Sequence, residues 1–108
     1  MCTKESAENK LNIILTKEEM NRVTMSIRDG IFKITINVHK MTRQGAKRII
    51  KNIIAVIREM FILLVIHGYN NGTAIKDMLR TDFLSMRIEK IEGEKYNQGR
   101  TKIEVCAA

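Results

Sequence analysis

Residues 34–67 decide the fold: Ile34-Thr-Ile-Asn-Val38 runs into His39, a basic amphipathic stretch follows from Thr42 to Met60, and Phe61-Ile-Leu-Leu-Val-Ile66 runs into His67. The first run alternates apolar and polar, with Ile34, Ile36 and Val38 on one face and Thr35, Asn37 and His39 on the other, as a half-buried strand does. The last run is apolar at every position, which suits a central strand covered on much of its surface. A strand, a helix and a second strand of this length form a βαβ unit, whose strands lie parallel through a right-handed crossover. Both imidazoles then leave the sheet at its carboxyl edge, where open α/β sheets place their ligands.

The helix between the strands runs from about Thr42, an N-cap residue, to about Met60. Ala46, Ile49, Ile50, Ile53, Ile54 and Ile57 recur at helical spacing and form its buried stripe. Isoleucine is an indifferent helix former, so packing rather than propensity must hold this helix. Its polar side has one sign: Lys40, Arg43, Lys47, Arg48, Lys51 and Arg58 are not interrupted by any acidic residue. The whole chain carries a net charge of +7. A one-signed basic helix attracts polyanions, chiefly nucleic acid or acidic lipid, although a lysine-rich protein can also carry such a face merely as a solvated surface.

Upstream, residues 1 to about 10 are polar and expected to be disordered. Thr16-Lys-Glu-Glu19 has the form of a capping box opening a short helix. Val23-Thr-Met-Ser-Ile27 alternates as a strand, and Asp29-Gly30 supplies hairpin turn chemistry. Downstream, His67-Gly-Tyr-Asn-Asn-Gly72 is a loop, and a second helix is expected near Thr73 with Ile75, Met78, Leu79 and Phe83 buried. Lys76 and Arg80, four apart, share its exposed side. Met86–Ile91 and Thr101–Val105 alternate as two further strands, expected to be antiparallel, joined by a polar loop over Glu92–Arg100. The expected fold is α/β, a two-layer α+β sandwich with a mixed sheet of four or five strands and two main helices on one face. Residues 1–21 form a polar, partly disordered extension and residues 22–108 a single domain.

At 108 residues the chain can bury one core. The N-terminal stretch does not read as a signal peptide, and the longest apolar run, Met60–Ile66, is far too short to cross a bilayer. Cys2 and Cys106 stand at opposite ends without metal-ligand spacing, so neither a disulfide scaffold nor a zinc site is expected. A cytoplasmic protein without a membrane partner or cofactor is the expectation; the sequence does not fix the oligomeric state, and a monomer is assumed.

Each histidine precedes a helix start, and helix N-termini offer unpaired N–H groups and partial positive charge to phosphate. Gly68 and Gly72 would let the backbone approach a phosphate closely. Against this stand plainer readings. His39 can simply end a strand; Asn70 and Asn71 are ordinary turn formers; Tyr69 can stack on a base or cover a core edge. Lys47 and Lys51 suit non-specific electrostatic contact better than sequence readout.

Three motifs in order resemble those of the Smr (small MutS-related) domain, over roughly residues 34–105. The family's L-D-x-H-G falls on Ile36-Asn37-Val38-His39-Lys40, its H-G-x-G-x-G on His67-Gly68-Tyr69-Asn70-Asn71-Gly72, and its closing G-x-T-x-(V/I)-x-(V/L) on Gly99-Arg-Thr-Lys-Ile-Glu-Val105. The resemblance implies a sandwich like the C-terminal domain of bacterial translation initiation factor three, binding to DNA or RNA and, in several members, DNA nicking or RNA cleavage. It departs at Asn37, where the family has an acid, and at Lys40 and Asn70, where it has glycine. Asparagine cannot act as a carboxylate ligand or general base, so the sequence does not support a divalent metal. Two imidazoles, His39 and His67, could cleave RNA without one, either serving as base and the other as acid, with Asn37 beside them. That chemistry needs the 2′-hydroxyl and excludes DNA.

The sequence reading is therefore a nucleic-acid-binding Smr-like domain, with endonuclease activity at phosphates near His39 and His67 as its enzymatic form. Contacts to DNA or RNA would come from Lys40, Arg43, Lys47, Lys51, Gly68, Tyr69, Asn70, Asn71, Gly72, Thr73 and Lys76, with Asn97 and Arg100 closing the site as the family pattern suggests. The first alternative is a binding module made inactive by Asn37. The second is an adaptor whose basic helix face meets an acidic protein.

Overall fold

The structure, a computed structural model, describes residues 4–68, 87–94 and 97–108. Its elements in chain order are α1 (Lys4–Ile14), α2 (Lys17–Met20), β1 (Val23–Arg28), β2 (Ile31–Asn37), α3 (Arg43–Val56), β3 (Phe61–Ile66), β4 (Ile88–Glu94) and β5 (Asn97–Val105). The strands form one mixed sheet in the order β1-β2-β3-β5-β4, an α+β fold. β1 and β2 are an antiparallel hairpin, and β2 and β3 pair in parallel around α3. β5 then inserts antiparallel between β3 and β4.

Local chemistry explains most of these boundaries. Asp29 and Gly30 both adopt positive φ, 54° and 78°, the two-residue primed turn whose twist matches its strands. Thr16 accepts from the Glu19 N–H at 3.1 Å while the Glu19 carboxylate accepts from the Thr16 N–H at 2.9 Å, a complete capping box. The Thr42 hydroxyl caps α3 by accepting from the Gly45 N–H at 3.0 Å. Ala46, Ile49, Ile50, Ile53 and Ile54 turn toward the sheet and meet Ile34, Ile36, Val38, Leu63, Val65 and Ile103 in the core.

Three expectations differ from what is found. Lys4–Ile14 is helical where disorder was expected at the N-terminus; Ala7 and Leu11, one turn apart, and Leu15 join the core, a stripe too sparse to stand out among polar neighbours. α3 stops at Val56 rather than Met60. The Arg87 guanidinium donates to the carbonyls of Ile54 and, at 3.1 Å, Glu59, tying down the helix end and the turn beyond it. The polar stretch Glu92–Arg100 is mostly strand, because β4 and β5 pair out to Glu94 opposite Asn97. A register shift between Gly93 and Glu94 accommodates the bend. The fourth strand begins at Ile88, and its expected start at Met86 lies outside the described residues, as does the second helix near Thr73.

Candidate functional site

The site is built where β2 and β3 end together. Their parallel register closes with Asn37 opposite Ile66, and the Val38 N–H donates to the Ile66 carbonyl at 2.9 Å. His39 and His67 therefore leave the sheet on adjoining strands, as the βαβ reading expects. Their rings then part. His67 continues the alternation of Phe61, Leu63 and Val65 and turns into the core side, where it is 1% exposed. His39 is half-buried, and its ring lies across Gly68: a Cβ at Gly68 would fall 2.5 Å from His39 Cδ2 and 3.0 Å from Nε2. Gly68 has φ +82°, so both conformation and space call for glycine.

His67 is held on both sides. Its Nδ1 lies 3.1 Å from the Gly68 carbonyl and its Nε2 2.9 Å from the Thr101 hydroxyl. A carbonyl oxygen only accepts, so Nδ1 donates; in a neutral ring Nε2 then accepts from Thr101, itself fully buried. The Gly99 carbonyl accepts from both the His67 and Gly68 N–H groups, at 2.9 and 3.0 Å. The closing Gly99-Arg-Thr101 segment thus fixes the start of the His67 loop.

Around His39 the edge is cationic. Arg22 precedes β1, which the hairpin brings back to this edge, and its Nη1 donates to the carbonyls of Asn37 at 3.1 Å and His39 at 3.3 Å. Sequence reasoning missed Arg22, although counting back from the Asp29-Gly30 turn sets residue 22 opposite Asn37. Asn37 is exposed, and its Oδ1 accepts from the His39 N–H at 3.0 Å, which shapes the chain leaving β2. Lys40 is exposed with φ +69°, a left-handed conformation strained for any residue but glycine. Arg43, exposed in the first turn of α3, follows. Arg100 pairs in register with Ile66, which sets it at the same edge. Asn97 pairs with Glu94, about 10 Å further along β5.

The basic face of α3 is less uniform than its sequence. Arg48 is committed to an ion pair with the buried Glu19, which joins α2 to α3. Lys47 is half-buried, while Lys51 and Arg58 are exposed. Tyr69, Asn70, Asn71, Gly72, Thr73 and Lys76 lie outside the described residues. Among the described residues no group of three or more His, Cys, Asp or Glu side chains could hold a metal ion, and no helix is long and apolar enough to cross a membrane.

Set against protein families, curated proteins and solved structures, the chain matches none. What the edge can do rests on its own chemistry. Arg22, Lys40 and Arg43 offer fixed positive charge, and His39 offers an imidazole that solvent can reach. The N-terminus of α3 adds partial positive charge between them. Such a set suits an anion with several oxygens, phosphate above all.

Proposed function

We propose that this protein binds nucleic acid, engaging the phosphate backbone at the β2–β3 carboxyl edge through Arg22, His39, Lys40 and Arg43, with Lys51 extending the track along α3. The observation that carries this reading is the convergence of these cations on one edge beside the N-terminus of α3. An Smr-like relationship accords with it, since the described residues of its motifs, Asn37 to Lys40, His67-Gly68 and Gly99 to Thr101, lie near one another at this edge. Of the two forms the resemblance allows, the geometry favours binding over cleavage. General acid–base cleavage by paired imidazoles needs both rings at the substrate. His67 is buried with both ring nitrogens engaged, and the Asn37 Oδ1 accepts from the His39 N–H. His67 is then a brace for the loop, and His39 is the ring available to a ligand.

Fluorescence anisotropy with labelled single-stranded RNA, duplex DNA and a branched DNA tests the proposal. Binding should weaken linearly in log–log form with salt, about 0.7 to 0.9 per phosphate neutralised. Arg22→Ala should reduce affinity about tenfold, as loss of one charge-assisted phosphate contact does. Affinity that ignores salt, or is unchanged in both Arg22→Ala and Lys40→Ala, would refute it and leave the adaptor reading. End-labelled RNA and DNA, incubated with and without EDTA, separate binder from nuclease. Cleavage that disappears with His67→Phe while the fold is retained would restore the enzymatic form.

A further inference from the structure

α1 and α3 cover one face of the sheet; the other face carries Lys33, Thr35, Ile62, Leu64, Lys102 and Glu104, by the strand registers. Leu64 there is already buried, but toward the amino end of β3 the surface is apolar and open. Met60 is 62% exposed and Ile31 43%, and with Ile62, Glu89 and Glu104 they line a shallow cleft of about 130 Å³. Large apolar side chains gathered in one exposed place mark contact surfaces.

The charges beside this strip are divided. On the β1–β2 side stand Arg28 and Lys33, both exposed. On the β5–β4 side stand Glu104 and Glu89, neither within ion-pair distance of a described cation; nearby Lys90 and Lys102 both turn to Glu92, at 3.4 and 3.9 Å. Lys33 pairs in register with Ile62, and Ile62 with Glu104, so the apolar strand separates the two signs by one strand on each side. A two-fold axis running along β3, between two such faces, exchanges left for right. It would lay Ile62 on Ile62 and Met60 on Met60, and set each Lys33 over the other copy's Glu104. Arg28 would approach the opposing Glu89 in the same way. A surface that matches itself under a two-fold operation is what a closed homodimer requires.

We propose that this face binds a second copy of the chain, sheet against sheet, through a Met60/Ile62 seam flanked by two symmetric Lys33–Glu104 pairs. Face-to-face sheets pack about 10 Å apart, within reach of these long side chains. Five strands spaced about 4.8 Å over six residues outline about 500 Å² per copy. That is below the roughly 800 Å² per partner of a stable complex, so the dimer is a weak, transient one. It leaves the β2–β3 carboxyl edge of each copy open.

Sedimentation equilibrium on nucleic-acid-free protein, run from the micromolar to the millimolar range, tests this. A reversible monomer–dimer equilibrium weakened by salt is expected. Met60→Lys should raise Kd at least tenfold, as should Lys33→Glu alone and Glu104→Lys alone. The double variant Lys33→Glu/Glu104→Lys should restore dimerisation to within about threefold of the parent, a rescue that fold damage cannot imitate. All three positions lie at least partly exposed, and circular dichroism confirms each variant folded. Monomer throughout the range overturns the proposal. So does a dimer indifferent to Met60→Lys, one lost in both single charge variants without rescue, or one abolished by Lys51→Glu on the opposite face.

Discussion

Gly68→Ala tests the geometry on which the site depends, because two separate penalties meet at one methyl group. The first is conformational: φ is +82°, and a left-handed backbone costs a residue with a Cβ roughly 1–2 kcal/mol. The second is steric, since the new Cβ would lie 2.5 Å from His39 Cδ2 and 3.0 Å from its Nε2. The ring must move, and forced repacking of this kind costs about 1–3 kcal/mol. The sum is roughly 2–5 kcal/mol; with a urea m-value near 1.5 kcal/mol/M it lowers the unfolding midpoint by about 2 M. The two parts can be separated by a double-mutant cycle with His39→Ala, which removes the ring and leaves the backbone conformation alone. Gly68→Ala should then cost only the conformational part, and the coupling between the positions should equal the steric part, about 1–3 kcal/mol. An equal cost of Gly68→Ala in both backgrounds would refute the packing of His39 over Gly68, and with it the placement of that ring at the candidate edge.

Three further outcomes can be measured alongside. Lys40→Gly should stabilise the protein by about 0.5–1 kcal/mol in urea titration, by relieving left-handed strain at φ +69°, while weakening nucleic-acid binding; parallel loss or gain of both would argue against a functional reason for lysine there. Thr101→Val, nearly isosteric, removes the hydroxyl from the buried His67 Nε2 and should destabilise by about 1–3 kcal/mol, with Thr101→Ser recovering most of it. Glu19→Gln should cost about 1 kcal/mol by weakening the Arg48 ion pair while an amide oxygen can still cap Thr16, whereas Glu19→Ala removes both contacts and should cost about twice as much by thermal unfolding.

Much of the fold was legible because local rules and the global arrangement agree. The Asp29-Gly30 turn, the Thr16 and Thr42 caps, the isoleucine stripe of α3 and the parallel pairing of β2 with β3 each follow from signals within a few residues. What was illegible depends on distant partners. α1 is a weak helix by composition, and its burial comes from the core that Ala7, Leu11 and Leu15 meet. The end of α3 is set by Arg87, more than 30 residues on, whose guanidinium reaches carbonyls at Ile54 and Glu59. The Glu92–Arg100 stretch reads as a loop because its residues are polar. Pairing with β4 and with β3 is what makes a strand of its second half; the β4 partners are close in sequence, but the β3 partner of Arg100, Ile66, lies more than 30 residues upstream.

The two histidines show how a shared sheet edge can be read from sequence while the burial of its side chains is not. Strand parity placed His39 away from the core because its run alternates, Ile34, Ile36 and Val38 against Thr35, Asn37 and His39. The run before His67 is apolar throughout, which conceals parity, and the glycine loop after it then invites a phosphate-binding reading. Register restores what composition hides: Leu63 lies opposite Ile34 and Val65 opposite Ile36, so the next odd residue, His67, shares the core face. Its partner, Thr101, lies opposite Val65 on that same face. A buried histidine needs hydrogen bonds, and Thr101 with the Gly68 carbonyl supplies them. The proposed binding edge therefore rests on His39 and its neighbouring cations rather than on a pair of imidazoles, with Arg22, unnoticed in the sequence, holding the carbonyls on either side of Val38.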